Sequence, residues 1–353
     1  MTDEDELRTI ERALKGTKAP HTRVALLRRA VDLADARGSR DDGWRLRLQL
    51  IDALYDAPDD EQQLLHFAWC IAQHDADPTR FSFDALSWSY KWIVTHAASS
   101  PHIAARRVLA LVDDMARRFV ALGKGERAVA QHRALVAGAL GDLDSSRHWL
   151  GEWERAPRDA LSDCAACDPS RRARLYGALG DDEAHIELAL GVIRSGARCA
   201  PVPGSTHAYL LAPLRRRGES RLALEHHLLG YRLVQNEPSE VGAHGEHLAI
   251  AAHAGLYDEA IAMIERHLPH ALTGAPDSGT LSFFVALAFA LSELSDAGIR
   301  ELPIRLPERL VSRDVTDLGA WAREEAATLM RAFDERNGNT TVSEGCARHW
   351  PAL

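Results

Sequence analysis

The residues best suited to chemistry are three cysteines. Cys164 and Cys167 form a Cys-Ala-Ala-Cys pair, and Cys199 follows further along the chain. Two thiolates at i and i+3 in a turn can both face one Zn²⁺ at about 2.3 Å. The redox use of this spacing needs a βαβ pattern around it, and none surrounds this pair. The helices expected nearby explain how Cys199 would join it. Cys167 precedes a helix expected over 169–179, and the next, over 181–196, runs back antiparallel. Cys199 lies just past the end of that second helix and so returns to the rim where Cys167 sits. His207 opens the following helix at this rim and is the preferred fourth ligand. Asp168, a water, or His227, about two turns lower by helical rise, are the other choices. A closed set of four would be structural; an open position would leave room for a metal-dependent reaction. The opposing reading is three unligated thiols packed as small apolar groups at a helix junction.

Other constellations are weaker. His244-Gly-Glu-His247, with His253 beyond it, lacks the His-Glu-x-x-His spacing of metalloproteases. His244 and His247 at i, i+3 could share a metal, but such residues more often cap a helix or line a packed seam. His226 and His227 are adjacent and must point to different sides, so at most one is expected to face the core. The pairs Asp113-Asp114, Asp181-Asp182 and Glu324-Glu325 point about 100° apart on a helix, so they do not share a proton. They read as solvated faces or caps. Arg215-Arg-Arg217 and Arg171-Arg172 with Arg174 lie near helix ends, where arginine complements the helix dipole. No Gly-x-x-x-x-Gly-Lys-Ser/Thr loop is present, no nucleotide-binding Gly-x-Gly-x-x-Gly follows a strand, and no catalytic motif can be assigned.

The elements that must position these residues are helices. Residues 22–36 put Val24, Leu27, Ala30, Val31 and Leu33 on one face, with arginines opposite. Residues 104–120 do the same with Val108, Leu111, Met115 and Phe119, and residues 247–272 repeat the pattern around Gly255. Strand-like alternation is missing, and Leu302 to Pro307 is too short and too proline-rich for a central strand. About sixteen helices are expected, with short breaks between them. Gly141, Gly180, Gly218 and Gly255 recur at intervals of 39, 38 and 37 residues, a period that marks a helical repeat array. A small residue stands five positions after several of these turns, as in Gly123 to Ala128, Gly141 to Ser146, Gly218 to Ala223 and Gly255 to Ala260. The glycine closes one helix with φ > 0; the small residue lets the next approach it closely. Gly180-Asp-Asp-Glu-Ala184 is one residue short of this pattern.

The chain has 353 residues, 46% hydrophobic and 26% charged, which suits a folded chain with a sizeable core. A formal net charge of −9 disfavours nucleic acid or an anionic membrane as the main partner. No uninterrupted run of about 18 apolar residues offers a membrane span. The acidic N-terminus is unlike a signal peptide. Five cysteines are too few and odd for a disulfide framework, so a reducing cytoplasm is expected.

Gly255-Leu-Tyr-Asp-Glu-Ala-Ile261 resembles the inter-helix turn of a tetratricopeptide repeat, and Pro238 and Pro269 stand where that repeat commonly places its proline. Further landmarks are Trp69-Cys70, Tyr90-Lys-Trp-Ile93, Ala156 to Asp168, Cys199, His227-Leu-Leu-Gly-Tyr-Arg-Leu233 and Phe333-Asp-Glu-Arg-Asn-Gly338. Together they resemble a tetratricopeptide-type family of actinobacteria and their relatives that carries no assigned reaction. The resemblance implies an all-α, right-handed superhelical solenoid of antiparallel helix hairpins. Three regions are expected: irregular helical repeats over 1–120, repeats with the cysteine cluster over 121–272, and a helical cap and tail over 273–353, with Ser343 to Leu353 fraying. The aromatics Phe67, Trp69, Phe81, Phe83, Trp88, Tyr90 and Trp92 are expected in the core where two helices cross. An aromatic peptide groove is the alternative use. The expected role is that of a scaffold or adaptor holding a protein or peptide on a concave surface. A metal-dependent enzyme at the cysteine rim and a ligand-sensing regulator are the competing classes.

Overall fold

The computed structural model describes residues 2–56, 60–308, 310 and 312–351. Among them the fold is all-α, with seventeen helices, and the one extended feature is an isolated bridge between Glu301 and Asp314. The chain divides into two compact units, Met1–Ala97 and Ala98–Leu353. The boundaries expected near 120 and 272 both fall inside the second.

The first unit holds α1 (Asp3–Gly16), α2 (Pro20–Ala36), α3 (Arg40–Asp56), α4 (Asp60–Ala76) and most of α5 (Asp84–Ser99). The Thr2 hydroxyl accepts from the Asp5 amide while the Asp5 carboxylate accepts from the Thr2 amide, a capping box that starts α1. The core between α2 and α3 is built from Leu27, Leu46, Leu50 and Leu54, all fully buried. Phe67, Phe81, Phe83 and Tyr90 are core residues as expected, with Phe67 edge-on to Tyr90 at 4.7 Å. Trp88 departs from that expectation and is 40% exposed.

The second unit holds α6 (Ala105–Ala121), α7 (Glu126–Ala139), α8 (Leu143–Arg155), α9 (Cys167–Ala178), α10 (Asp182–Ser195), α11 (Gly204–Arg216) and α12 (Ser220–Val234). It continues with α13 (Val241–His253), α14 (Tyr257–Ala271), α15 (Ser278–Asp296), α16 (Val315–Asn337) and α17 (Thr341–His349). Helices pair as hairpins, α7 with α8, α9 with α10, α11 with α12 and α13 with α14. The first members also pack on one another in order, α7 on α9, α9 on α11, α11 on α13 and α13 on α15. The turns explain the pairing. Gly141, Gly180, Gly218 and Gly255 have φ of 80°, 89°, 77° and 76°, the left-handed conformation expected of them. Asp142 and Asp181 then cap α8 and α10 through the amides of Ser145 and Ala184. Ala128, Ser146, Ala223 and Ala260, the small residues five positions on, are each 0% exposed. The short repeat meets the same need in reverse: His185 takes the contact position, and a Cβ at Gly177 would stand 2.3 Å from its Nδ1.

The central helix is α15, buried between α13 and α16. By length and composition alone it could cross a membrane, but 67% of its apolar stretch is buried inside the fold. The tail differs from expectation. Residues 341–349 form α17, and Trp350 beyond it is 0% exposed, its ring tilted against Phe289 at 4.9 Å with the Arg215 guanidinium 4.9 Å away. The helix fully buries no residue; Val342 and Cys346, one turn apart, rest half-buried on the core, and Trp350 past its end completes the anchor.

Candidate metal centre

The turn that carries Cys164 and Cys167 is held from both sides by α7. Asp163 precedes the pair and accepts from the Gln131 side-chain amide at 2.6 Å. Asp168 follows it, 1% exposed, and accepts from Arg127 Nε at 2.7 Å, Arg127 Nη2 at 2.8 Å and the Trp153 indole at 3.1 Å. Arg127 and Gln131 are one helical turn apart, so they lie on the same face of α7. Arg127 also donates to the carbonyls of Trp153 and Ala156, both at 2.7 Å. Asp159 fixes the approach to the turn by accepting from the amides of Gly125 and Leu161. Ala166, Val192 and Val202 form a small apolar floor with Cys167 and Ala197 against it.

On this frame the three thiols come together. Cys167 is the first residue of α9, and Cys199 lies in the loop between α10 and α11, where the antiparallel return was expected to bring it. One sulfur from each of Cys164, Cys167 and Cys199 lies within 4.8 Å of the others, close enough to hold one metal ion. Tetrahedral ligands at 2.3 Å require an edge of about 3.8 Å, within reach of small rotamer changes. Cys164 and Cys199 are exposed and Cys167 is half-buried, so an ion could reach the site from solvent. The thiols differ electrostatically. Burial pushes the Cys167 thiol up, reinforced by hydrogen bonds with Cys199 and Cys164. Burial also opposes ionisation of Cys164, but the amides of Cys167 and Ala166 outweigh it and pull that thiol down. The Cys167 amide donates to Cys164 Sγ at 3.3 Å.

Each residue considered as fourth ligand has another partner. Asp168 is the buried mate of Arg127; its carboxylate also accepts from the Trp153 indole and lies 3.4 Å from both Arg158 and Arg172. His207 lies outside the sulfur group, with Nδ1 2.8 Å from His226 Nδ1 inside the α11–α12 hairpin. The hairpin is tight there, since a Cβ at Gly230 would stand 2.4 Å from that of His207. Burial, aided by His226, pushes the His207 ring down to about 4. His227 faces His247 at 3.2 Å and Glu259 at 3.2 Å; against expectation both His226 and His227 are buried, because α12 packs on α11 through one and on α13 through the other. Among the described residues the group therefore holds three protein donors. The sequence reading missed Arg127, Gln131 and Asp163, which position the turn. Their sole local signal is the i, i+4 spacing of the first two.

The basic clusters are absorbed by the fold. Arg216 pairs with Asp182 at 2.6 Å, Arg172 with Glu154 at 3.2 Å, and the Arg174 guanidinium lies 3.7 Å from the Tyr209 ring. No protein-family model matches the chain, and no curated protein matches it.

Proposed function

We propose that the protein is an interaction scaffold of TPR-like helix hairpins, with zinc on Cys164, Cys167 and Cys199 tying its middle. The observation that carries the scaffold reading is the outer face of α12. Leu228, Leu229 and Leu233 are 46%, 58% and 45% exposed. They are three of the five exposed large apolar side chains among the described residues of the second unit, gathered within two turns. Arg221 and Arg232, both exposed, flank them. Such a face suits an amphipathic helix of another protein, its apolar side on the leucines and its acidic residues toward the arginines. Zinc would join the start of α9 to the loop before α11, so that neighbouring hairpins resist local separation. Free thiols fit a reducing compartment such as the cytoplasm.

The test is a full-length Leu229→Asp, Leu233→Asp variant, compared with the parent in quantitative capture from native lysate. A partner held in stoichiometric amount by the parent should be lost by the variant at unchanged helicity. A helical peptide from that partner should bind less well when its acidic residues are neutralised. Capture that ignores both substitutions would overturn the reading. A parent that self-associates, and a variant that does not, would assign the face to a second copy instead.

One observation favours a second reading. Three protein thiolates leave a fourth coordination position open, which is how catalytic zinc is held. A cobalt-substituted protein whose visible spectrum shifts with added azide would support a metal-dependent reaction there. An unresponsive spectrum would support the structural role.

A further inference from the structure

A second group of metal donors lies apart from the cysteines. His244 is on α13, and His267 and His270 are on α14. One ring nitrogen from each lies within 4.8 Å of the others. Two features of the chain bring them together. His267 and His270, at i and i+3, share a face of α14. The turn at Gly255 folds that face onto α13, where the His244 ring stacks on His267 with centroids 3.8 Å apart. His244 and His267 are 0% and 1% exposed, and His270 is half-buried at the edge of the group.

The same nitrogen of each ring is without a hydrogen-bond partner. His244 Nε2 lies 2.9 Å from the Val234 carbonyl, which can only accept, so Nε2 carries the proton and Nδ1 a lone pair. His267 Nε2 lies 3.0 Å from the Tyr231 hydroxyl, which can accept in the same way. Nδ1 of His244, of His267 and of His270 is buried without a hydrogen-bond partner. A buried polar atom without a partner has given up its hydration for nothing, and three in one cluster call for a shared partner. A metal ion would satisfy all three once the stacked His244 and His267 rings tilt to aim their in-plane lone pairs at one point. The contacts to Val234 and Tyr231 are then the outer-shell bonds that orient ligating imidazoles.

We propose that His244, His267 and His270 bind one divalent first-row transition ion of the zinc class, with a fourth position left for water or an exogenous ligand. Three neutral imidazoles suit zinc, cobalt, nickel or copper and not magnesium or calcium. The bond to the Val234 carbonyl fixes His244 with its proton on Nε2, so its Nδ1 can bind an ion without first losing a proton. The Arg266 guanidinium, next to His267 in sequence, is turned to the Asn236 side chain at 2.5 Å. This site would tie α13 to α14 and is independent of the cysteine site. The sequence pairs His244 with His247, but the fold sends His247 to His227 and brings His267 and His270 to His244.

The test uses the full chain carrying Cys164→Ser, Cys167→Ser and Cys199→Ser, stripped of metal and titrated with Co²⁺. One cobalt per chain should bind, with visible d–d absorption and no thiolate-to-cobalt charge-transfer band. Adding His270→Ala, at the most exposed of the three, should weaken binding more than about 100-fold, beyond an outer-shell loss; Tyr231→Phe should weaken it about tenfold. If the serine variant fails to fold, the parent chain serves: two cobalt ions should bind, and His270→Ala should remove one while the charge-transfer band stays. Absence of cobalt from a folded serine variant would overturn the proposal. So would cobalt whose stoichiometry and spectrum ignore His270→Ala.

Discussion

Replacing Asp168 by Asn tests whether the buried ion pair, and not the apolar floor, holds the cysteine turn. The two side chains have nearly the same shape, so the change removes charge with little change in volume. It leaves the Arg127 guanidinium, 8% exposed, facing an amide where a carboxylate had accepted two hydrogen bonds. Removing one partner of a buried ion pair costs about 3–5 kcal/mol, because the other charge stays buried and uncompensated. We expect the lower part of that range, because Arg127 keeps its bonds to the Trp153 and Ala156 carbonyls. Against a typical total of about 5–15 kcal/mol, this is a large fraction. Urea unfolding followed by circular dichroism should show a lower midpoint at unchanged slope. Adding Arg127→Met should cost less than the two single losses together, since the orphaned charge goes with it, although the Trp153 and Ala156 carbonyls then lose their donor. The pH dependence has a definite sign. Burial opposes ionisation of Asp168, but Arg127 and Trp153 prevail and hold its carboxyl below the ordinary 3.8. A depressed carboxyl contributes stability that is full above the unfolded value and is lost as pH falls through the folded one. The parent should therefore lose this contribution only in strong acid, and the variant should lack that step. A loss below about 1 kcal/mol, or a double variant as unstable as the sum of the singles, would refute the reasoning.

Three further outcomes follow from the same packing. Gly245→Ala would place a Cβ 2.9 Å from Phe283 Cα, where α13 meets α15 backbone to backbone; it should cost about 1–3 kcal/mol in urea unfolding, and a neutral result would contradict the close approach. Trp350→Ala should cost about 3–5 kcal/mol and release α17 to proteolysis, whereas a tail that merely frays would show neither. Burial pushes the His185 ring down to about 4, with the neighbouring Asp182 opposing. The unfolded chain then binds the proton first, so stability is full above about pH 6.5 and falls toward pH 4, by about 3 kcal/mol for this group alone. Urea midpoints that stay level across that window would refute it.

The helices, their turns and the convergence of the cysteines were legible in the chain itself. Helical period is local, and a glycine with φ > 0 followed by an aspartate cap reverses direction within four residues, as at Gly141-Asp142 and Gly180-Asp181. Given that reversal, Cys199 must return toward Cys167, because two short antiparallel helices leave it no other end to occupy. The partners of Asp168, His207 and His244 were decided by tertiary structure alone. Arg127 and Asp168 are 41 residues apart, and whether they meet depends on how α7 and α9 are rotated about their own axes when stacked. A rotation of one residue, about 100°, would send either side chain elsewhere. The same freedom turned His207 inward to His226 and brought His267 and His270 to His244. Trp350 shows the limit most simply: its burial comes from a hollow formed by Arg215 and Phe289, two residues more than sixty positions away that no local pattern connects to it.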